Sequence, residues 1–198
     1  MGACVGDWKF HMPEDAGTEE LFKLFKEKAE ALTVKVLRVA SKNEAEQAIV
    51  EEIKATNIKL AVGAPMTLVD VLSIQESLKG DGIDFSLDLD RNLIERAQFG
   101  VSQFDLGIAE LGTIVQDAES VHKRLVSMLP PTHLAIISTK TIIDTFAASL
   151  EVIEKVYNGE PSNFIAFVTG PSKTADIERV LTIGVHGPGR LIIVCVDE

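Results

Sequence analysis

Between residues 34 and 97 short apolar runs alternate with segments of helical period, and this alternation constrains the fold more than any other feature. Val34, Val36, Leu37 and Val39 read as a strand, residues 59–62 as a second ending at Gly63-Ala64-Pro65, and residues 83–87 as a third. Ser41 with Glu44 forms a capping box for a helix to about Thr56, with Ala45, Ala48, Ile49 and Ile53 on its inner side. A helix is expected over residues 67–78, closed by Gly80-Asp81-Gly82, and Asp90 caps a short one reaching Ala97. Strands separated by helices pair side by side only when each connection crosses a sheet face. The expected fold class is therefore α/β, a mostly parallel sheet flanked by helices.

Upstream, Thr18 caps a helix whose one face carries Leu21, Phe22, Phe25, Ala29 and Leu32. Residues 1–17 are expected to be loose and residues 18–198 to form one domain. Downstream, residues 101–109 read as a single strand and Ile114-Val115 as a short strand antiparallel to it. Pro130-Pro131 breaks the chain before a strand over residues 134–137. Thr139 or Thr141 then caps a helix to about Asn158, with Ile143, Phe146, Leu150, Ile153 and Tyr157 on one face. Strands over residues 164–168 and 191–196 complete the chain.

Composition excludes several classes. The formal charge of −11 over 198 residues disfavours nucleic-acid backbones and anionic lipid as partners. No apolar run approaches the ~18 residues of a membrane span. The first residues, MGACVGDWKFHMPEDAG, lack the basic segment and apolar core of a secretion signal, so a cytoplasmic location is expected. Cys4 and Cys195 are far apart, and His11, His122, His133 and His186 are scattered without metal-ligand spacing. An iron–sulfur cluster takes about four thiolates, so this chain is expected to hold no cofactor of that kind.

Two stretches carry chemistry. In GVSQFDLGIAELGTIVQD (residues 100–117), Glu110 stands between Gly107 and Gly112 in a run that otherwise reads as buried. A buried acid must be paired, hydrogen-bonded or protonated, and a strand end in an α/β sheet is where ligands gather. Glu110 is thus the candidate acid, base or acyl acceptor, with backbone hydrogen bonding as its structural alternative. In TGPSKTADIE (residues 169–178), Gly170 lets backbone approach a ligand while Ser172, Lys173 and Thr174 offer donors for a small anion. It is not a Walker loop, because Pro171 follows Gly170 and the earlier glycine is missing. GVHGPGR (residues 184–190) has the wrong glycine spacing for a dinucleotide site, and its His186 has a structural reading as a loop histidine. No Gly-x-Ser-x-Gly elbow occurs.

Taken together, GVSQFDLGIAELGTIV (100–115), RLVSMLPPTHLAII (124–137) and TGPSKTADIERVLTIGVHGP (169–188) resemble the lactate utilization protein C family, the single-domain members of the LUD-domain superfamily. The resemblance is dense over about residues 95–196 and weak before about residue 60. It implies the fold of the ribose-phosphate isomerase, glucosamine-phosphate deaminase and CoA-transferase superfamily. It also implies a part in the oxidation of L-lactate to pyruvate beside two iron–sulfur protein partners, which would hold the clusters. Carried over residue by residue, the motif marks Glu110, Gly112 and Thr113, then Gly170, Ser172, Thr174, Asp176, His186 and Gly187, with Lys173 at a variable position. Leu111 stands where the resembled pattern has Thr, a departure that bears on the ligand. The alternative is a stand-alone enzyme or binding protein for a phosphorylated metabolite, CoA ester or folate.

Overall fold

The computed structural model describes residues 7–160, 162–175, 181–183 and 187–198, with backbone alone at 174–175 and 181–183. The first half alternates as the sequence requires: α1 (Glu19–Ala31), β1 (Lys35–Val39), α2 (Lys42–Lys54), β2 (Leu60–Gly63), α3 (Val71–Lys79), β3 (Asp84–Ser86), α4 (Arg91–Arg96) and β4 (Phe99–Gln103). Local capping explains most of these boundaries. Thr18 Oγ1 accepts from Leu21 N, Ser41 Oγ from Glu44 N, and an Asp90 oxygen from Asn92 N. The Glu44 carboxylate reaches back to Ala40 N, one residue before the cap.

α3 begins later than residue 67. Gln103 Oε1 accepts from Thr67 N at 2.7 Å and Leu68 N at 3.0 Å, so those N–H groups are already taken and the helix starts from the Asp70 cap. Residues 101–109 are not one strand. β4 ends at Gln103, Phe104 N donates to Ile136 O, Asp105 N donates to Val115 O, and the chain passes into a second sheet.

The second half holds β5 (Leu106–Ile108), β6 (Thr113–Asp117), α5 (Val121–Met128), β7 (Thr132–Ser138), β8 (Ile142–Ile143), α6 (Phe146–Tyr157), β9 (Ile165–Val168), β10 (Lys173–Ala175), β11 (Leu181–Ile183) and β12 (Arg190–Val196). β5 and β6 are antiparallel, as expected. α5 is a helix the sequence reading left out. α6 starts at the Thr145 cap, not at Thr139 or Thr141, because Ile142-Ile143 pairs with β5. Its buried stripe is Ser149, Val152, Ile153, Val156 and Tyr157, while Phe146 and Leu150 are 42% and 49% exposed. The αL residue Asn158 closes it.

Six strands form a wholly parallel sheet in the order β1-β12-β7-β4-β2-β3. Leu134, Ile136, Ile192 and Val194 meet α2 and α3 on one face. Ala135, Ile137, Ile193 and the buried Cys195 meet Phe25 and Ala29 of α1 on the other. Burial on both faces is why β7 and β12 read as unbroken apolar runs. A smaller sheet, β8-β5-β6-β9, packs its Leu106, Ile108 and Val115 against α6. Within residues 1–17, read from sequence as loose, Trp8 is buried with its ring edge-on to Tyr157 at 6.0 Å. No helix among the described residues is long and apolar enough to cross a membrane.

Candidate functional site

Glu110 belongs to the tip of the β5–β6 hairpin, in the small sheet. The expectation of a buried acid is corrected: its side chain is exposed, as is that of Leu111. Glu110 Oε1 accepts from Phe146 N at 2.6 Å, and Glu110 N donates to Asp144 O at 3.0 Å. The carboxylate therefore sits at the N-terminus of α6, where free N–H groups and the helix dipole favour negative charge.

The glycines on either side of the site meet α1. Gly112 has φ of 61°, and a Cβ there would lie 2.8 Å from Ala29 Cα. Gly170 has φ of 73° and faces Leu32, with 3.2 Å between its would-be Cβ and Leu32 Cβ. Lys173 Nζ donates to Leu32 O at 3.2 Å, placing a cation at the carbonyl end of the same helix. Thr113 is buried, and its hydroxyl lies 2.7 Å from that of Thr169. Ser172 N donates to Pro188 O at 2.8 Å, and Gly187 lies against the Ser172 side chain.

So Gly112, Gly170 and Lys173, distant in sequence, converge on the end of α1, while Thr113 is tied to Thr169 and Ser172 lies against Gly187. Thr174 contributes backbone to the β10–β11 pairing, opposite Thr182. Asp176 and His186 lie outside the described residues, as does Cys4.

A cavity of about 740 Å³ opens beside this convergence, lined by residues 163–173, by Gly187 and Pro188, by Leu32, and by Arg124, Ser127 and Met128 of α5. That is within the size of small-molecule pockets. Among the described residues its charged lining side chains are Arg124 and Lys173, both cations in a chain of net charge −11. The Arg124 guanidinium lies 4.1 Å from the Phe164 ring centre, and its Nη1 donates to Ala118 O and Glu119 O. Glu110 is not part of this lining. Arg124, Ser127 and Met128 were not singled out from sequence, although they lie in the second of the three stretches that carry the resemblance.

The parallel sheet has its own carboxyl-end crevice, where β2 leads on to β3 and β4 turns the other way toward β7. Gln103 bridges it to Thr67 and Leu68, and the remaining space, about 60 Å³, is lined by Asp7, Trp8, Gln103 and Asp105 among others. Asp105 Oδ2 accepts from Asp117 N at 2.7 Å, and burial pushes its carboxyl up to about 6. Nearby, Ser102 Oγ and His133 Nε2 lie 2.9 Å apart. Both are buried, and burial holds the imidazole down to about 3, so this pair ties β4 to β7 and offers no reachable nucleophile. Among the described residues no three His, Cys, Asp or Glu side chains are grouped to hold a metal.

A family model described as LUD domain matches residues 22–196. Over 107 residues the chain is 38% identical to lactate utilization protein C of Macrococcus caseolyticus, covering 52% of this chain and 46% of that one. Over 117 residues it is 34% identical to lactate utilization protein C of Oceanobacillus iheyensis, covering 58% and 50%. The chain thus spans about half the length of the curated relatives it matches. A crystal structure of a DUF162 family protein from Deinococcus radiodurans superposes with a TM-score of 0.64 at 20% identity, covering 89% of this chain and 96% of that one. That likeness shows the fold.

Proposed function

The chain belongs to the LUD domain family, and on that premise we propose that it serves in lactate utilization, as the cluster-free subunit of a system oxidising L-lactate to pyruvate. Removing two electrons from lactate requires an acceptor, and this reading assigns it to iron–sulfur partner proteins. The observation that supports the reading is the approach of the first and third stretches to each other, with Thr113 bonded to Thr169 and residues 169–173 lining the cavity. Affinity purification of the chain from its native host tests it. Recovery of cysteine-rich iron–sulfur proteins, with lactate-dependent growth lost on deletion, is the expected result; recovery of none overturns it.

The cavity favours a second reading, a protein acting on a small anionic metabolite such as a phosphorylated compound, CoA ester or folate. Ser172 and Lys173 would hold the anion, and Glu110 would act as acid, base or acyl acceptor. Because Glu110 lies outside the cavity lining, the substrate would have to extend beyond it. Thermal shift with these compounds tests the idea. At roughly 100 times the dissociation constant about 2.7 kcal/mol of stabilisation is expected, and its absence for all of them removes the reading.

A further inference from the structure

Three of the four edges of the two large sheets are guarded against pairing with another chain. β1 carries Lys35 and Arg38, both in ion pairs. β3 is three residues long and includes Asp84, and β8 is two residues long. Short length and charge are the usual protections of a sheet edge. β9, four residues long, has no such charge: residues 164–168 read Phe-Ile-Ala-Phe-Val, uncharged, free of proline and rich in strand formers.

The pairing of β9 with β6 shows which of its backbone groups face outward. Ala118 N donates to Phe164 O, while Ala166 and Val168 stand opposite Gln116 and Ile114. Hydrogen-bonded positions alternate along an antiparallel pair, so Phe164, Ala166 and Val168 face β6, and Ile165 and Phe167 turn their N–H and C=O groups away. Those four groups have no partner among the described residues. They lie on the wall of the large cavity. Odd and even residues of 163–173 alike line it, so that wall is the edge of the strand and not one of its faces.

α5 also lines the cavity, with Met128 55% exposed. Among the described residues its charged lining side chains are cations, Arg124 stacked on Phe164 at one end and Lys173 beyond the other. We propose that the outer edge of β9 is a docking site for an extended segment of a partner protein, which adds a fifth strand to the small sheet. The segment is apolar in the middle, against Phe167 and Met128, and acidic where it passes Arg124 and Lys173. The inference stands on edge geometry and does not depend on the lactate reading.

The test selects peptides of about eight residues from a random displayed library on the full chain, then follows amide hydrogen exchange of chain and complex. In the free chain the Ile165 and Phe167 amides are expected to exchange freely. Selected peptides, enriched in Asp and Glu, are expected to slow both by at least about tenfold. Phe167→Lys is expected to weaken binding by about tenfold or more while lowering the melting temperature slightly, since its ring packs on Phe146 at 5.5 Å, and N-methylation of alternate peptide amides is expected to weaken binding with the chain unaltered. Inorganic phosphate, the probe for a small-anion site, is expected to leave both amides exchanging. Failure to enrich any peptide, binding without protection of the two amides, or their protection in the free chain together with dimerisation would each overturn the proposal.

Discussion

The Thr113 and Thr169 hydroxyls are hydrogen-bonded at 2.7 Å, one residue beyond the last pair of the β6–β9 ladder, where Ile114 faces Val168. The bond fastens the β5–β6 hairpin to the loop leaving β9. Thr113→Val keeps the shape but removes the bond at a buried position, while the exposed Thr169 hydroxyl can turn to water. The expected loss is about 0.5–1.5 kcal/mol, read as a lower denaturant midpoint with an unchanged slope.

Gly112 and Gly82 both have positive φ, 61° and 70°, but only Gly112 is crowded. A Cβ at Gly112 would press on the Lys28–Ala29 backbone, with Lys28 C at 2.7 Å, whereas nothing lies within 4 Å at Gly82. Gly82→Ala is expected to cost about 1 kcal/mol, from backbone strain alone. Gly112→Ala adds an overpacking cost of about 1–3 kcal/mol, because a helix backbone cannot turn aside as a side chain does. Parallel chemical denaturation of the two variants measures the difference.

These contrasts show what local sequence can carry. Thr18, Ser41, Asp90 and Asn158 were legible because a cap is settled within about four residues. The break between β4 and β5 was not, since it is decided by Ile136 and Val115, the distant carbonyls that Phe104 N and Asp105 N choose. α5 escaped because its buried positions are only His122 and Val126, so its apolar period has a single full member. Glu110 read as buried because apolar runs flank it on both sides, yet it stands on a hairpin tip where period no longer reports burial. The convergence of Gly112, Gly170 and Lys173 on α1 depends on tertiary packing that no spacing along the chain encodes.

Glu110→Gln separates capping from chemistry. The amide oxygen can still accept from Phe146 N, so only the charge at the α6 N-terminus is lost. The expected stability cost is about 0.3–1 kcal/mol, a fall of roughly 1–4 °C in Tm for a chain of this size. If lactate utilization depends on a cluster-free structural subunit, activity follows the folded fraction. Under the small-anion reading turnover is abolished while the melting curve moves no further. Tm and activity measured on the same preparations decide between them.

Asp105 gives the fold a pH dependence of definite sign. Its folded-state carboxyl is raised to about 6 from an ordinary 3.8, first by burial and then by the nearby Asp117, against the opposing pull of Lys123 and the Asp117 N–H. A raised acid holds its proton more tightly in the folded chain, so its contribution is greatest below pH 3.8 and disappears as pH rises through about 6. Above that point the ionised, partly buried carboxylate costs about 1–3 kcal/mol, the lower end applying where water reaches its outer oxygen. Asp105→Asn keeps an oxygen for Asp117 N and removes the charge. It is expected to raise stability at pH 7 and leave it nearly unchanged at pH 4. Urea unfolding at the two pH values checks this. Equal stabilisation at both would show that the carboxylate ionises at its ordinary pH, and a loss at pH 7 would show that its charge is held by Lys123 more strongly than burial opposes it.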